Sequence, residues 1–367
     1  MPSGDSGLNL SFLDLLNVCD NVRVHQASPV PSPYDSERLV PLYLSEASDS
    51  PVIGLLRPVI VEQLQLENKR SRDLGHQELW AFSLDKATYI ARQNRIPGPS
   101  VSFQTWLDTH SKRTAALKEL CERWRDTGVY EDVCGPKKWR AEMYPIYADP
   151  LGTHDHPDTT ATGGHLNFVF ETERSACALF GLITYGVHLS IFEEIETEGQ
   201  KSLRIWVPTR ARTKPTFPGL LDNSVAGGIP SGMSVFESLV KECMEEASIE
   251  DHIVRKHARA VGAISYFFRT SKGWLQPEIE YVYDISIPSD VDPTPFVPKP
   301  LDGEVESFEL LTHDIVIQKM RAGLFKPNCA LVLIDLFIRL GYVTPENEPD
   351  YLKILTRLHG TFDLERW

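Results

Sequence analysis

The sequence predicts a mixed α/β chain in two parts: an α+β accessory region over 1–175, then a sheet-rich domain over 176–367 organised around one carboxylate-bearing helix. Two observations point there. The stretch 227–250, GGIPSGMSVFESLVKECMEEASIE, sets a glycine-rich turn directly before a short amphipathic helix. Runs rich in β-branched and aromatic residues lie on both sides of it, whereas no catalytic constellation occurs before Gly128.

Along 234–248 the apolar residues Phe236, Leu239, Val240, Cys243 and Ala247 recur at three- and four-residue spacing, which makes one buried stripe. Glu242, Glu245 and Glu246 fall beside it, and at about 100° per residue they span an arc of roughly 100°. Carboxylates so crowded repel one another unless a cation sits among them. A hard divalent ion, Mg²⁺ or Mn²⁺, takes oxygen ligands, keeps several waters and binds phosphate oxygens as well. Gly227, Gly228 and Gly232 are expected to fold a tight loop over the start of the helix, a phosphate-side element. Arg210, Arg212 and Lys214 are the densest bases nearby and are expected to meet an anionic substrate. Trp206, Phe217, Tyr266 and Trp274 supply aromatic faces for a flat ring.

Composition narrows the class. A chain of 367 residues, 42% hydrophobic and 24% charged, can bury two cores. A formal net charge of −14 argues against nucleic acid as a partner and for a small-molecule diphosphate brought in by metal and local bases. No apolar run reaches about 18 residues, so no membrane span is expected. The start, MPSGDSGLNLSF, reads as no secretory signal, and the 6 cysteines form no CxxC pair, which suits a reduced cytoplasmic protein. Nothing in the sequence marks an oligomeric state.

In chain order, 10–22 has a helix-like apolar pattern closed by Asp20 and Asn21. A strand, a proline break and a helix follow over 51–69, then strand-like character at 78–91 and the turn IPGPS at 96–100. A helix over 102–128 stops at Gly128. The tract 149–164 is a loop, and its His154, Asp155 and His156 read as solvated, with no rigid element beneath them to make a metal site. Beyond Ala178 come two strands with TEGQ between them, the glycine turn and helix, two more strands joined by SKG, and a proline-rich connection to DGEVESFELL. Glu304 there is an outside candidate for a late catalytic or substrate-side carboxylate. Three helices close the chain, the middle one nearly all apolar with Asp335 inside it.

The turn and helix resemble the Nudix box, a glycine, a glutamate six residues on and, seven residues later, REUxEExGU with U aliphatic. Here Gly227 opens the pattern and KECMEEASI supplies its second half. Met233 occupies the first glutamate position, Lys241 the arginine and Ser248 the glycine. FPGLLDNSVAGGIPSG, YFFRTSKGWLQPEIEYVYDISIP and KPNCALVLIDLFIRLGYVTPENEPDY, with WRAEMYPI and ERSACALFG upstream, resemble the thiamine pyrophosphokinase-related branch of that family, a fungal and plant type. The resemblance implies a Nudix-type α/β/α sandwich with a mixed sheet after an N-terminal accessory domain. It also implies Mg²⁺ on Glu242, Glu245 and Glu246, and hydrolysis of thiamine diphosphate or its oxidised forms to the monophosphate. Lys241 would orient a neighbouring glutamate.

Three alternatives stay open at this level: a diphosphate-binding module that does not hydrolyse, a nucleotide-sugar or dinucleotide pyrophosphatase, and a diphosphate-lipid isomerase. The last needs a cysteine facing the metal, and Cys243 lies in the apolar stripe.

Overall fold

The computed structural model describes residues 8–22, 32–83, 99–159, 166–197 and 200–362. The expected features at 84–91, the IPGPS turn up to 98, 160–164, the first seven residues and the centre of TEGQ lie outside them.

The second half of the chain forms a sandwich. Its sheet runs β10 (Arg259–Arg269), β11 (Leu275–Ser286), β7 (Thr184–Thr197), β8 (Gln200–Arg210), β12 (Val305–Thr312), with β9 (Val225–Gly228) also paired to β7. β11 and β7 are parallel and the other pairs antiparallel, so the sheet is mixed. Alternation along β7 decides the layers. Val187, Leu189 and Ile191 face a core shared with α6 (Val235–Ala247) and α7 (Asp251–His257). Phe192, Leu203, Ile205 and Val282 join the opposite core with α9 (Pro327–Arg339), whose ten residues from Asn328 to Phe337 are all buried. Helices on both faces of a mixed sheet make the predicted α/β/α sandwich.

The first unit has a four-stranded sheet in the order β2 (Val52–Leu56), β1 (Val40–Tyr43), β4 (Ser100–Phe103), β3 (Trp80–Ser83). It also has a ribbon of β5 (Met143–Tyr147) and β6 (Phe168–Glu173), and the helices α2 (Pro58–Asp73) and α3 (His110–Thr127). Pro58 opens α2, where its missing N–H costs nothing. The expected helix over 102–128 begins only at His110, capped by Thr109, because Val101–Phe103 pair with β1 and β3 instead. Its stop is as read, Gly128 at φ 70°. α7, seven residues long, has no counterpart in the sequence reading.

Two packing facts bear on a division at 175/176. The first unit's core continues through Ala176, Cys177, Leu179 and Phe180 to Leu182. α1 (Phe12–Cys19), although N-terminal, packs with α9 and α10 (Tyr351–Leu358) in the core of the sandwich.

Candidate functional site

α6 is fixed before its carboxylates matter. The Ser234 hydroxyl accepts from the Glu237 amide at 3.3 Å to cap its start, and Ser248 ends it in the left-handed region at φ 54°. Leu239, Val240, Cys243 and Ala247 are buried, which pins the helix to the β7 side of the sheet. Cys243 is therefore core, fully buried among the apolar side chains under α6.

Two of the three box carboxylates meet β9. The Glu246 carboxylate accepts from the Ala226 amide at 3.1 Å and is 7% exposed. Glu242 lies against Gly227, where an added Cβ would come within 2.6 Å of its Oε1. Glu245 points outward, its side chain 47% exposed, and pairs with Lys241 at 3.0 Å. Lys241 also reaches Glu242 at 3.4 Å, so it bridges two of the carboxylates. From the far side Lys214 approaches Glu246 to 4.0 Å and pairs closely with Glu304, which brings that late carboxylate to the site.

The charges at this point are poorly compensated. Burial, then the charges of Asp222 and Glu242, push the Glu246 carboxyl up to about 7. Burial, reinforced by Glu245 and opposed by Lys241, raises Glu242 as well. Lys214 is pulled down by its own burial and by Arg210.

The donor set fits a hard divalent ion. Such an ion needs one or two carboxylates and keeps its waters, and the buried Glu246 with the largely covered Glu242 offers two carboxylates beside the Ala226–Gly228 stretch of β9. Among the described residues no group of three or more His, Cys, Asp or Glu side chains is placed to hold a metal ion, and Glu245, turned outward, does not join Glu242 and Glu246.

Several expected positions fall elsewhere. Gly227 and Gly228 are strand residues, not a turn. Only Gly232 of the three glycines has a positive φ, 79°. The glycines of β9 are small because side chains press on both of its faces, Glu242 at Gly227 and Tyr144 at Gly228. Arg210 is buried and fully engaged: Nε donates to the Phe217 carbonyl at 3.1 Å, Nη2 to the Thr216 carbonyl at 3.1 Å, and Nη1 pairs with Asp222. It shapes the 210–222 loop, and each of its three guanidinium nitrogens already has a partner inside the fold. The Arg212 side chain, 81% exposed, lies 3.6 Å from Glu306. Of the three bases, only Lys214 stands at the carboxylates.

His154 stacks on Tyr147 at 4.5 Å, and Asp155 accepts the Asn167 and Phe168 amides at 2.8 Å each, so the loop is tied to β6 and not solvated as read. Asp335 pairs with Arg339 at 2.7 Å.

A cavity of about 330 Å³ opens beside β9 between the two units. Phe217, Tyr266 and Trp274 line it, whereas Trp206 packs against the core of the sandwich. Its floor is a buried polar network. The Tyr266 hydroxyl donates to Glu280 at 2.7 Å and pairs closely with Glu278, Asn328 donates to Glu280 at 3.2 Å, and His188 lies 3.5 Å from Glu280. The first unit adds Arg140, Tyr144 and Arg174. Sequence reasoning missed these three; the bases of PKKWRAEMY were the available signal.

No family model matches the chain. Nudix hydrolase 20, chloroplastic, of Arabidopsis thaliana is 36% identical over 268 residues, 73% of this chain and 63% of that protein. Nudix hydrolase 24, chloroplastic, of the same plant is 35% identical over 264 residues, 72% of this chain and 64% of that protein. An uncharacterized protein of Saccharomyces cerevisiae is 37% identical over 235 residues, 61% of this chain and 62% of that protein. The chain thus spans somewhat under two thirds of the length of each of these relatives.

Proposed function

We propose that this chain is a member of the Nudix hydrolase family, as its similarity to two plant Nudix hydrolases supports, and a divalent-metal-dependent hydrolase that cleaves the phosphoric anhydride of a small diphosphate. The observation that carries the reading is Glu246: a carboxylate 7% exposed, near a second, partly buried carboxylate, Glu242, with Lys214 no nearer than 4.0 Å. A fold retains such a group at a cost, and a bound cation removes that cost.

Glu242 and Glu246 would hold Mg²⁺ or Mn²⁺, with Glu245 at the outer edge. Bound there, the ion would draw charge from the phosphoryl group and lower the pKa of a water. The Ala226 amide fixes the Glu246 carboxylate, and Lys241 fixes Glu242 and Glu245 relative to one another. Lys214 pairs with Glu304 at the same place, and Glu304 would take a proton from the attacking water. Phosphoryl transfer asks mainly for positioning and charge neutralisation, so no nucleophilic side chain is required.

For the substrate we take thiamine diphosphate or its oxidised analogues, converted to monophosphates. The cavity is near the lower end of the size range for small-molecule sites, and Phe217, Tyr266 and Trp274 offer aromatic surface to a flat ring. The 6 buried free thiols suit a reducing, cytoplasmic setting. Among the described residues no helix is long and apolar enough to cross a membrane.

The test is product analysis with the full chain and Mg²⁺ across thiamine diphosphate, its oxidised analogues, ADP-ribose, NADH and nucleoside diphosphates. Thiamine compounds should yield monophosphates, the oxidised forms fastest. Glu245→Gln and Glu246→Gln should each lower turnover by roughly 10²-fold or more. Cleavage of a nucleotide alone would remove the vitamin and keep the hydrolase; full activity in both variants would remove the hydrolase assignment.

A further inference from the structure

We propose that Arg140 and Arg174 of the first unit form an anion subsite across β9 from Glu242, taking the phosphate of the substrate that the carboxylate-bound metal does not. The proposal rests on the hydrolase reading for its role in turnover, but its geometry stands alone.

Both arginines line the cavity beside β9. Their main chains are locked together. The Arg140 amide donates to the Glu173 carboxylate at 2.8 Å, and the Arg174 amide donates to the Glu142 carbonyl at 2.8 Å. Between them Ala141 is held at φ 56°, a left-handed conformation that costs a residue with a Cβ of order 1 kcal/mol. The turn that brings the two residues to the same cavity is thus maintained against local strain.

Their partners do not account for them. Arg174 donates one Nη to Glu142 at 2.8 Å, and its Cζ lies 5.0 Å from the Tyr144 ring centroid, which leaves the rest of its fork without a carboxylate. Arg140, exposed at the cavity, makes no ion pair with a carboxylate among the described residues; partial burial and the like charge of Arg174 pull its pKa down against the weaker pull of Glu142 and Glu173. Two neighbouring guanidinium groups in a cavity wall, one of them unpaired, are matched to a multiply charged oxyanion, which takes several N–H donors at once.

The position is equally specific. A Cβ on Gly228 would stand 3.4 Å from the Arg174 Cζ, and one on Gly227 would meet Glu242 on the other face. Consecutive strand residues face opposite ways, so this strand of small residues separates the carboxylates from the arginines by little more than backbone. The Ser231 amide, just beyond β9, donates to the Met143 carbonyl of β5 at 2.8 Å, which holds the first unit in this place. Linked phosphates passing β9 would meet the metal on one side and the arginines on the other. The first unit then completes the site.

The experiment is calorimetric titration of the metal-free full chain, in chelator, with inorganic pyrophosphate, followed by kinetics with Mg²⁺ on the substrate found above. Arg140→Gln breaks no side-chain hydrogen bond or ion pair among the described residues and is expected to keep the wild-type melting point. It should weaken pyrophosphate binding roughly tenfold and raise KM by a similar factor, with kcat within about twofold. Arg174→Gln should do the same or more, and Arg174→Lys should recover part of the loss. Arg72→Gln, on an exposed side chain paired with Glu78 and remote from the cavity, should change neither. A folded Arg140→Gln protein that binds pyrophosphate as wild type does would overturn the subsite. Arginine-dependent pyrophosphate binding without turnover of any diphosphate would support the subsite and instead sink the hydrolase reading.

Discussion

Adding one methyl group to either of two consecutive residues separates the roles of the two faces of β9. In Gly227→Ala the new Cβ would stand 2.6 Å from the Glu242 Oε1 and closer still to its Cγ and Cδ, where ordinary contact begins at 3.4 Å. The carboxylate must retreat by about 1.2 Å, because α6 is pinned by the buried Leu239, Cys243 and Ala247 and β9 by its pairing to β7. Overpacking of this kind costs about 1–3 kcal/mol, and a misplacement near 1 Å in a reacting site costs roughly 10² in rate. Gly227→Ala should therefore lose about a hundredfold in kcat and need more Mg²⁺ for half-maximal activity. In Gly228→Ala the methyl meets the Tyr144 hydroxyl on the other face. Tyr144 is 4% exposed and cannot swing away freely, so this variant should raise KM while leaving the Mg²⁺ midpoint unchanged. The assay is initial rate against substrate and Mg²⁺, with melting curves to show that both variants fold. Wild-type kcat and Mg²⁺ dependence in a folded Gly227→Ala protein would refute the placement of Glu242 at the metal.

Three further outcomes follow from the same geometry. Without metal, the Glu246 carboxyl titrates at about 7 in the fold against roughly 4.5 when free, so its contribution to stability is most favourable below about pH 4.5 and is lost as the pH rises towards 7. Glu246→Gln should accordingly gain about 1–3 kcal/mol on metal-free wild type at pH 8 and little at pH 4; equal stabilities at pH 8 in denaturant titrations would contradict the burial argument. Met233→Glu, in the loop ahead of α6, should change turnover less than tenfold and leave the number of bound metals as it was, which metal analysis of the purified variant checks. Ser248 ends α6 at φ 54° and its hydroxyl donates to the Lys299 carbonyl at 3.0 Å, so Ser248→Ala should destabilise by about 1 kcal/mol and lie about 1–2 kcal/mol below Ser248→Gly.

What the sequence made legible was local. The period of α6, its carboxylates and its caps lie within one short stretch, and that stretch alone implies a helix with one buried and one charged face. The strands on either side were equally open, since each carries its own β-branched and aromatic pattern. What failed needed partners distant in the chain. Arg210 reads as a free base until Asp222 and the Thr216 and Phe217 carbonyls are seen to consume it. A Gly-Gly pair looks the same whether it turns the chain or yields space to a neighbour, and only the approach of Tyr144 and Glu242 tells which. Phe103 fits the apolar face of the following helix as well as it fits a strand, and pairing with Trp80 decides it. Arg140 and Arg174 reach the site because Met143 docks beside Ser231, a contact that no periodicity encodes.

The same docking predicts how the chain can be divided. A cut at 175/176 assigns α1 to the first unit, yet Phe12, Leu15, Leu16 and Cys19 are all buried in the core of the sandwich. The Arg357 side chain donates to Asn17 at 2.6 Å and to Asp20 at 3.0 Å, and the Leu10 amide donates to the Arg321 carbonyl at 2.9 Å. At about 1.5–3 kcal/mol for each large apolar side chain, losing α1 removes on the order of 5–10 kcal/mol, against a total domain stability of about 5–15 kcal/mol. A fragment of 176–367 alone should therefore lack a cooperative melting transition, and adding a peptide of residues 8–22 in trans should restore one whose midpoint rises with peptide concentration. A cooperative transition in the bare fragment, insensitive to the peptide, would show that α1 is dispensable to the sandwich and that the chain divides near 175 after all.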